Sequence, residues 1–142
     1  MCNRFHRERD AFPRPIPSYG EGYKIVSVKV HDEKEIISPL AYKNRRNNYK
    51  PGVGRWIEWD LKYEDSFFPQ DIFGFCFFTN KKEAMRCRKK WINGKGKDFG
   101  WNLKIKKIKY EQGIGSCLES NIIGGEKFRG ALCKRFRFLK DE

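Results

Sequence analysis

The sequence predicts an α+β domain: a bent, mostly antiparallel sheet, a partial barrel in its simplest form, with one main helix at about residues 80–93. Three observations carry this. Residues 74–78 place Phe75, Cys76, Phe77 and Phe78 behind Gly74, an apolar run of strand length covered on both faces. Directly after it, Asn80 with Glu83 three residues on has the form of a capping box that opens a helix. Elsewhere the apolar residues alternate at period two, as strands require.

Taken in order, residues 1–22 differ from the rest. The first ten are charged, and Pro13, Pro15 and Pro17 then hold the chain extended up to Gly20 and Gly22. An N-terminal arm over 1–22 and a single domain over 23–142 follow, with Phe5, Phe12 and Ile16 as anchors that strap the arm down. Residues 23–30 form a strand with Val26, Val28 and Val30 on one face. Residues 36–42 form a short strand or an irregular stretch. Residues 43–52 have loop composition, with Lys43, Arg45, Arg46 and Lys50 among asparagines. Residues 55–61 alternate again, and 64–71 make an acidic loop around Phe67 and Phe68.

On the helix, Ala84, Cys87 and Trp91 form a narrow apolar stripe, and Lys81, Lys82, Arg86, Lys89 and Lys90 take the other faces. Asn93-Gly94 is a stop. Residues 101–110 read as a strand whose alternation slips between Ile105 and Ile108, which a bulge at Lys106-Lys107 reconciles. The glycine-rich residues 112–125 suggest two short elements around a turn. Residues 132–139 close the domain as a strand with Leu132, Phe136 and Phe138 facing in.

The chain of 142 residues is 39% hydrophobic and 15% aromatic, enough to build one core although 35% of it is charged. Its net charge of +13 implies an anionic partner: nucleic acid, a phosphorylated ligand or an acidic protein surface. The plain alternative is a solvated basic surface. Five cysteines without paired spacing speak against a disulfide framework and for a reducing, cytoplasmic setting. No apolar run is long enough to cross a membrane, and no signal peptide opens the chain. Cys2, His6, His31, Cys76, Cys87, Cys117 and Cys133 lack zinc-site spacing, so no metal is expected, and no cofactor either. Asp60-Leu61-Lys62, beside Glu58, has the Asp/Glu-x-Lys form of some Mg²⁺ nucleases, but a solvated strand face explains it as well. The glycine turns at 113–116 and 124–127 lack phosphate-loop spacing.

Gly74-Phe75-Cys76-Phe77-Phe78 followed by Glu83-Ala84 resembles a strand-and-helix element of ADP-ribosyltransferase-like domains, and of small phage-encoded domains with a similar glycine-to-phenylalanine step. The first resemblance implies a transferase that binds nicotinamide dinucleotide through a first-strand Arg or His and polarises the acceptor with a late Glu. Here the first strand offers Tyr23 and Lys24, with His31 beyond it, and the late carboxylates are Glu119 and Glu126. Separately, Met1-Cys2-Asn3-Arg4-Phe5 is similar to the start of the SRAP domain, which implies a Cys2 that crosslinks to abasic DNA once Met1 is removed.

Cations interleaved with aromatics are the broadest signal, since cations bind phosphates and rings stack on bases. The leading expectation is therefore a non-enzymatic binding module for nucleic acid or another phosphate-rich partner, in the manner of a phage or mobile-element protein. Its contacts are Lys82, Arg86, Lys89 and Lys90 on the helix, with Arg45, Arg46, Lys104, Lys106 and Arg135 as secondary ones. The alternatives are the transferase, with Glu119, Glu126 or Cys2 as catalytic groups, and a protein-binding inhibitor of a nucleoprotein complex.

Overall fold

Apolar side chains at period two draw most of this chain into strands, and each strand edge must then find a partner for its N–H and C=O groups. The computed structural model describes residues 4–5, 14–31, 34–39, 55–59, 72–93, 102–120 and 127–140. In chain order these form β1 (Arg4–Phe5), β2 (Tyr19–His31), β3 (Lys34–Pro39), β4 (Ile57–Glu58), β5 (Ile72–Phe73), β6 (Phe75–Phe77), α1 (Lys81–Trp91), β7 (Leu103–Ser120) and β8 (Lys127–Phe138). The main sheet is antiparallel and open, in the order β3-β2-β7-β8-β4, and β6 also pairs with β8. β1 and β5 form a separate two-stranded pair. The fold is thus α+β and rich in strands.

The slip in alternation along β7 is not a bulge at Lys106-Lys107. Pairing with β2 runs unbroken from Leu103 to Glu111. Two different cores cause it. Ile108 and Tyr110 face an aromatic interior shared with Val26, Val28, Phe75, Phe77, Phe136 and Phe138. Leu103, Ile105 and Ile25 face the other way, onto Ala84 and Cys87 of α1, beside Phe78 and Phe128. Edge-to-face rings knit the interior: Trp59 on Phe75 (5.1 Å, 79°), Phe75 on Phe136 (4.8 Å, 77°), and Phe136 on Phe138 (5.2 Å, 88°). Such pairs add about 0.5–1.5 kcal/mol each beyond the area they bury.

Residues 112–120 are not two short elements around a turn either; they continue β7, which pairs with β8 as far as Ser120 and Lys127. What the glycines do is bend it. The β7–β8 register shifts between Gly113 and Gly115, next to Gln112 at φ 54°, a left-handed backbone. A Cβ at Gly113 would meet the Pro17 carbonyl at 2.5 Å, because the segment before β2 lies along this bend. Arg14 and Ser116 exchange N–H···O bonds of 2.8 Å each, Gly113 donates to the Ser18 carbonyl, and the Tyr110 hydroxyl donates to that of Pro17. β2 itself begins at Tyr19, inside the stretch expected as an arm, and Ile16 packs on the interior. Of the strand expected over 55–61, the ladder takes up Ile57 and Glu58, with Ile57 and Trp59 packed inward. Loop 43–52, acidic loop 64–71, Asp60, Lys62 and Trp101 lie outside the described residues.

Among the described residues, two buried lysines point into the interior. Lys24 and Lys106 stand opposite each other on β2 and β7 and are 4% and 8% exposed. Lys24 Nζ donates to the Cys76 carbonyl at 2.6 Å and lies over the rings of Phe136 (5.3 Å) and Phe75 (5.9 Å). Burial holds its pKa below the usual lysine range, against the opposing pull of Cys76 and Cys133. Burial also pushes the Cys133 thiol up to about 12, although Lys24 and a backbone hydrogen bond at Arg135 favour the thiolate.

The approach of β6 to β2 leaves no room at Gly22, where a Cβ would meet the Phe77 ring at 2.6 Å and the Phe78 carbonyl at 2.9 Å. Gly22→Ala is expected to lower stability by about 1–3 kcal/mol, as overpacking does. Urea unfolding checks this; an unchanged midpoint would contradict the packing described.

Candidate functional site

The helix start is dictated locally. Asn80 is extended (φ −118°, ψ 123°), and its Oδ1 accepts from the N–H groups of Lys82 at 2.9 Å and Glu83 at 3.4 Å. Glu83 does not complete the expected reciprocal bond. Its carboxylate instead takes the Arg86 guanidinium at 2.7 Å and the Arg129 N–H of β8 at 3.0 Å, pinning the first turn of α1 to the β7–β8 hairpin. Arg86 in turn lies 4.1 Å over the Phe128 ring. On the inner side, Ala84 and Cys87 are buried and Arg88 Nε donates to the Leu103 carbonyl at 2.8 Å.

With those groups engaged, the outer side of α1 presents Lys81, Lys82, Lys89 and Lys90 to solvent around an exposed Met85. Among the described residues Lys81, Lys82 and Lys89 pair with no carboxylate. Arg86 is exposed as well, but its charge is shared with Glu83.

The secondary residues are not gathered beside the helix as a set. Lys104 is exposed near the start of β7, whereas Lys106 is turned into the interior, so no exposed lysine row forms from the two. Arg135 is part-buried on β8. It pairs with Glu111 at 2.8 Å, has its Nε 3.4 Å from Glu58 without an aligned hydrogen bond, and stacks at 4.3 Å on Trp56. Arg45, Arg46, Cys2 and Glu126 lie outside the described residues. Glu119 sits on β7 opposite Phe128 of β8. Of the first-strand groups, Lys24 is in the core and Tyr23 is tied by two 2.7 Å backbone bonds to Phe78. No group of three or more His, Cys, Asp or Glu is placed to hold a metal ion among the described residues, and none of their helices is long and apolar enough to cross a membrane.

A second cationic and aromatic patch gathers around Arg135 and Arg137, a basic cluster with Trp56 among its neighbouring aromatics in the sequence reading, and adds Tyr19, which that reading did not include. It lies on the face of β2, β7 and β8 that turns away from the aromatic interior, beyond the part α1 covers. Tyr19 is 70% exposed there, and Arg137 lies 5.1 Å over the Trp56 ring that Arg135 also stacks on. The clustering of Arg135 and Arg137 is visible in the sequence; the signal missing from it is that Tyr19 and Trp56 reach the same face.

Comparison with protein-family models, curated proteins and solved structures gave no match.

The Glu83 clamp has a pH signature. Burial pushes its carboxyl up, but the hydrogen bonds from Arg86 and Arg129, with their charges, outweigh this and hold it below the usual glutamate value. A lowered folded pKa gives stability that is full above the unfolded value of about 4.3 and is lost as pH falls through the folded one. Glu83→Gln is expected to cost about 1 kcal/mol at neutral pH and to make acid unfolding less steep below about pH 4.3. Thermal melts of both proteins from neutral to acid pH check it; parallel curves would contradict the clamp.

Proposed function

We propose that this protein is a non-enzymatic binding module for nucleic acid, with the outer side of α1 as its phosphate-contacting surface. One observation carries the reading. The only carboxylate on α1, Glu83, is spent on Arg86 and the β8 backbone, which leaves Lys81, Lys82 and Lys89 exposed without a carboxylate partner among the described residues. A chain of net charge +13 that holds cations in this way meets a polyanion favourably at long range and releases counterions on contact. Lys90 and the Arg86 guanidinium border the same surface on this reading, whereas Lys104 lies on the other face of β7, opposite Val26.

The scaffold behind it is a partial barrel in our reading. The support is the Tyr23–Phe78 bridge, which ties the residue after β6 to β2 while β6 itself pairs with β8. A reducing compartment fits the buried, free thiols of Cys76, Cys87 and Cys133.

The test is fluorescence anisotropy with a labelled duplex over a range of salt. Wild type is expected to bind with affinity that falls steeply with salt. Lys82→Ala with Lys89→Ala should weaken binding and lower the log–log salt slope by about 1.8, that is about 0.9 per lost phosphate contact. An unchanged slope would count against α1. A stoichiometric protein complex that survives nuclease, with no affinity for oligonucleotides, would replace the reading with a protein-binding inhibitor.

A further inference from the structure

We propose that the part of the outer sheet face that α1 does not cover, built from Tyr19, Lys109, Arg135, Arg137 and Trp56, is a stacking platform for single-stranded nucleic acid. This rests on the nucleic-acid reading above and names the form of ligand.

Strand register sets the platform out. Tyr19 of β2 stands opposite Glu111 of β7, which stands opposite Arg135 of β8, itself opposite Glu58 of β4. In the next row Glu21 faces Lys109, and Lys109 faces Arg137. Trp56, one residue before β4, comes level with Arg137 because Ile57 pairs with Phe136. These side chains share the face onto which Ile25, Leu103 and Ile105 also point, and α1 covers that face over the latter three. From Ile105 to Lys109 is about 13 Å along the strand, so helix cations and platform occupy one side of the sheet, end to end.

The two arginines have different parts. Arg135 is held in place: Glu111, Glu58 and the Trp56 ring fix its guanidinium, and it completes the frame. Arg137 lies over the Trp56 ring, 5.1 Å from its centroid, but meets no carboxylate among the described residues, and its Nε is buried with no hydrogen-bond partner. A guanidinium fork that meets no carboxylate matches a phosphate through its terminal nitrogens, which are not buried as the Nε is. Tyr19, two strand spacings or about 10 Å from β8, offers an open ring. Exposed at 70%, it does little for the core. Lys109 lies between them on β7.

A duplex keeps its base faces stacked inside and cannot use Tyr19. A single strand lays a base on the ring and its backbone along Lys109 and Arg137. The helix cations take phosphates of either form, so it is the platform that prefers the single strand.

Anisotropy with a labelled oligothymidine of about twelve nucleotides, and with a duplex of the same length, tests this. Tyr19→Ala is expected to weaken oligothymidine binding by roughly ten- to hundredfold, the loss of one stacked base, and to leave duplex binding unchanged. Arg137→Lys keeps the charge and the stem but not the fork, and should weaken the single strand while melting with wild type. Trp56 emission should change on titration with oligothymidine in wild type. If Tyr19→Ala and Arg137→Lys bind oligothymidine as wild type does while Lys82→Ala with Lys89→Ala weakens it, the platform is overturned and the helix reading stands. If neither probe binds at low salt, both fall.

Discussion

The structure depends on burying both faces of β2 and β7 with two different materials. One face packs on rings, where Phe75, Phe77, Tyr110, Phe136 and Phe138 close around Val26, Val28 and Ile108. The other packs on a helix, where Ala84 and Cys87 meet Ile25 and Leu103. Aromatic side chains are large enough to fill a coiled sheet from within, and small residues let the helix come close. α1 is only eleven residues long and covers part of that face, over Ile25, Leu103 and Ile105. Beyond the helix on that face lie an exposed Tyr19 and the half-buried Lys109 and Arg137.

Charge follows the same division. A lysine inside an aromatic core is costly unless its ammonium finds acceptors and ring faces. Lys24 finds both, in the Cys76 carbonyl and the rings of Phe75 and Phe136. Among the described residues, four carboxylates of the outer side are engaged with particular cations: Glu83 with Arg86, Glu21 with Lys107, Glu111 and Glu58 with Arg135. What they leave over is the set of cations that a polyanion would meet. Exposed pairs of this kind stabilise little, so their effect is to select which cations remain available.

Much of this was legible in the residues. Gly74 to Phe78 reads as a strand buried on both faces; all five are buried, and Phe75–Phe77 form the strand, with Phe78 bridged to Tyr23. Asn80 reads as a helix cap, and its Oδ1 accepts the expected Glu83 N–H and that of Lys82 as well. The class of the fold follows from period-two alternation. The β7–β8 hairpin was hidden by its glycines, which resemble turn residues yet serve a bend: Gly113 lies against the Pro17 carbonyl, a long-range contact that no local pattern announces. The slip between Ile105 and Ile108 was visible, but a period cannot say whether the strand bulges or its cover changes from helix to rings. Lysines read as surface, so the inward turn of Lys24 and Lys106 was invisible until register set them opposite each other. For the site, the cations of α1 could be listed from sequence. The pairing that engages Arg86, and the arrival of Tyr19 and Trp56 beside Arg137, are products of tertiary structure.

The account stands or falls on whether one side of this sheet receives a nucleic acid. The most direct measurement is an amide ¹H–¹⁵N correlation spectrum of the protein titrated with oligothymidine. The account predicts that shifts concentrate at the Lys81–Trp91 helix, at Tyr19 and Glu21, and at Lys109 and Arg137, while the amides around Phe75 and Phe77 in the interior stay still. Shifts confined to other surfaces, or a spectrum that does not change at saturating oligonucleotide, would contradict it.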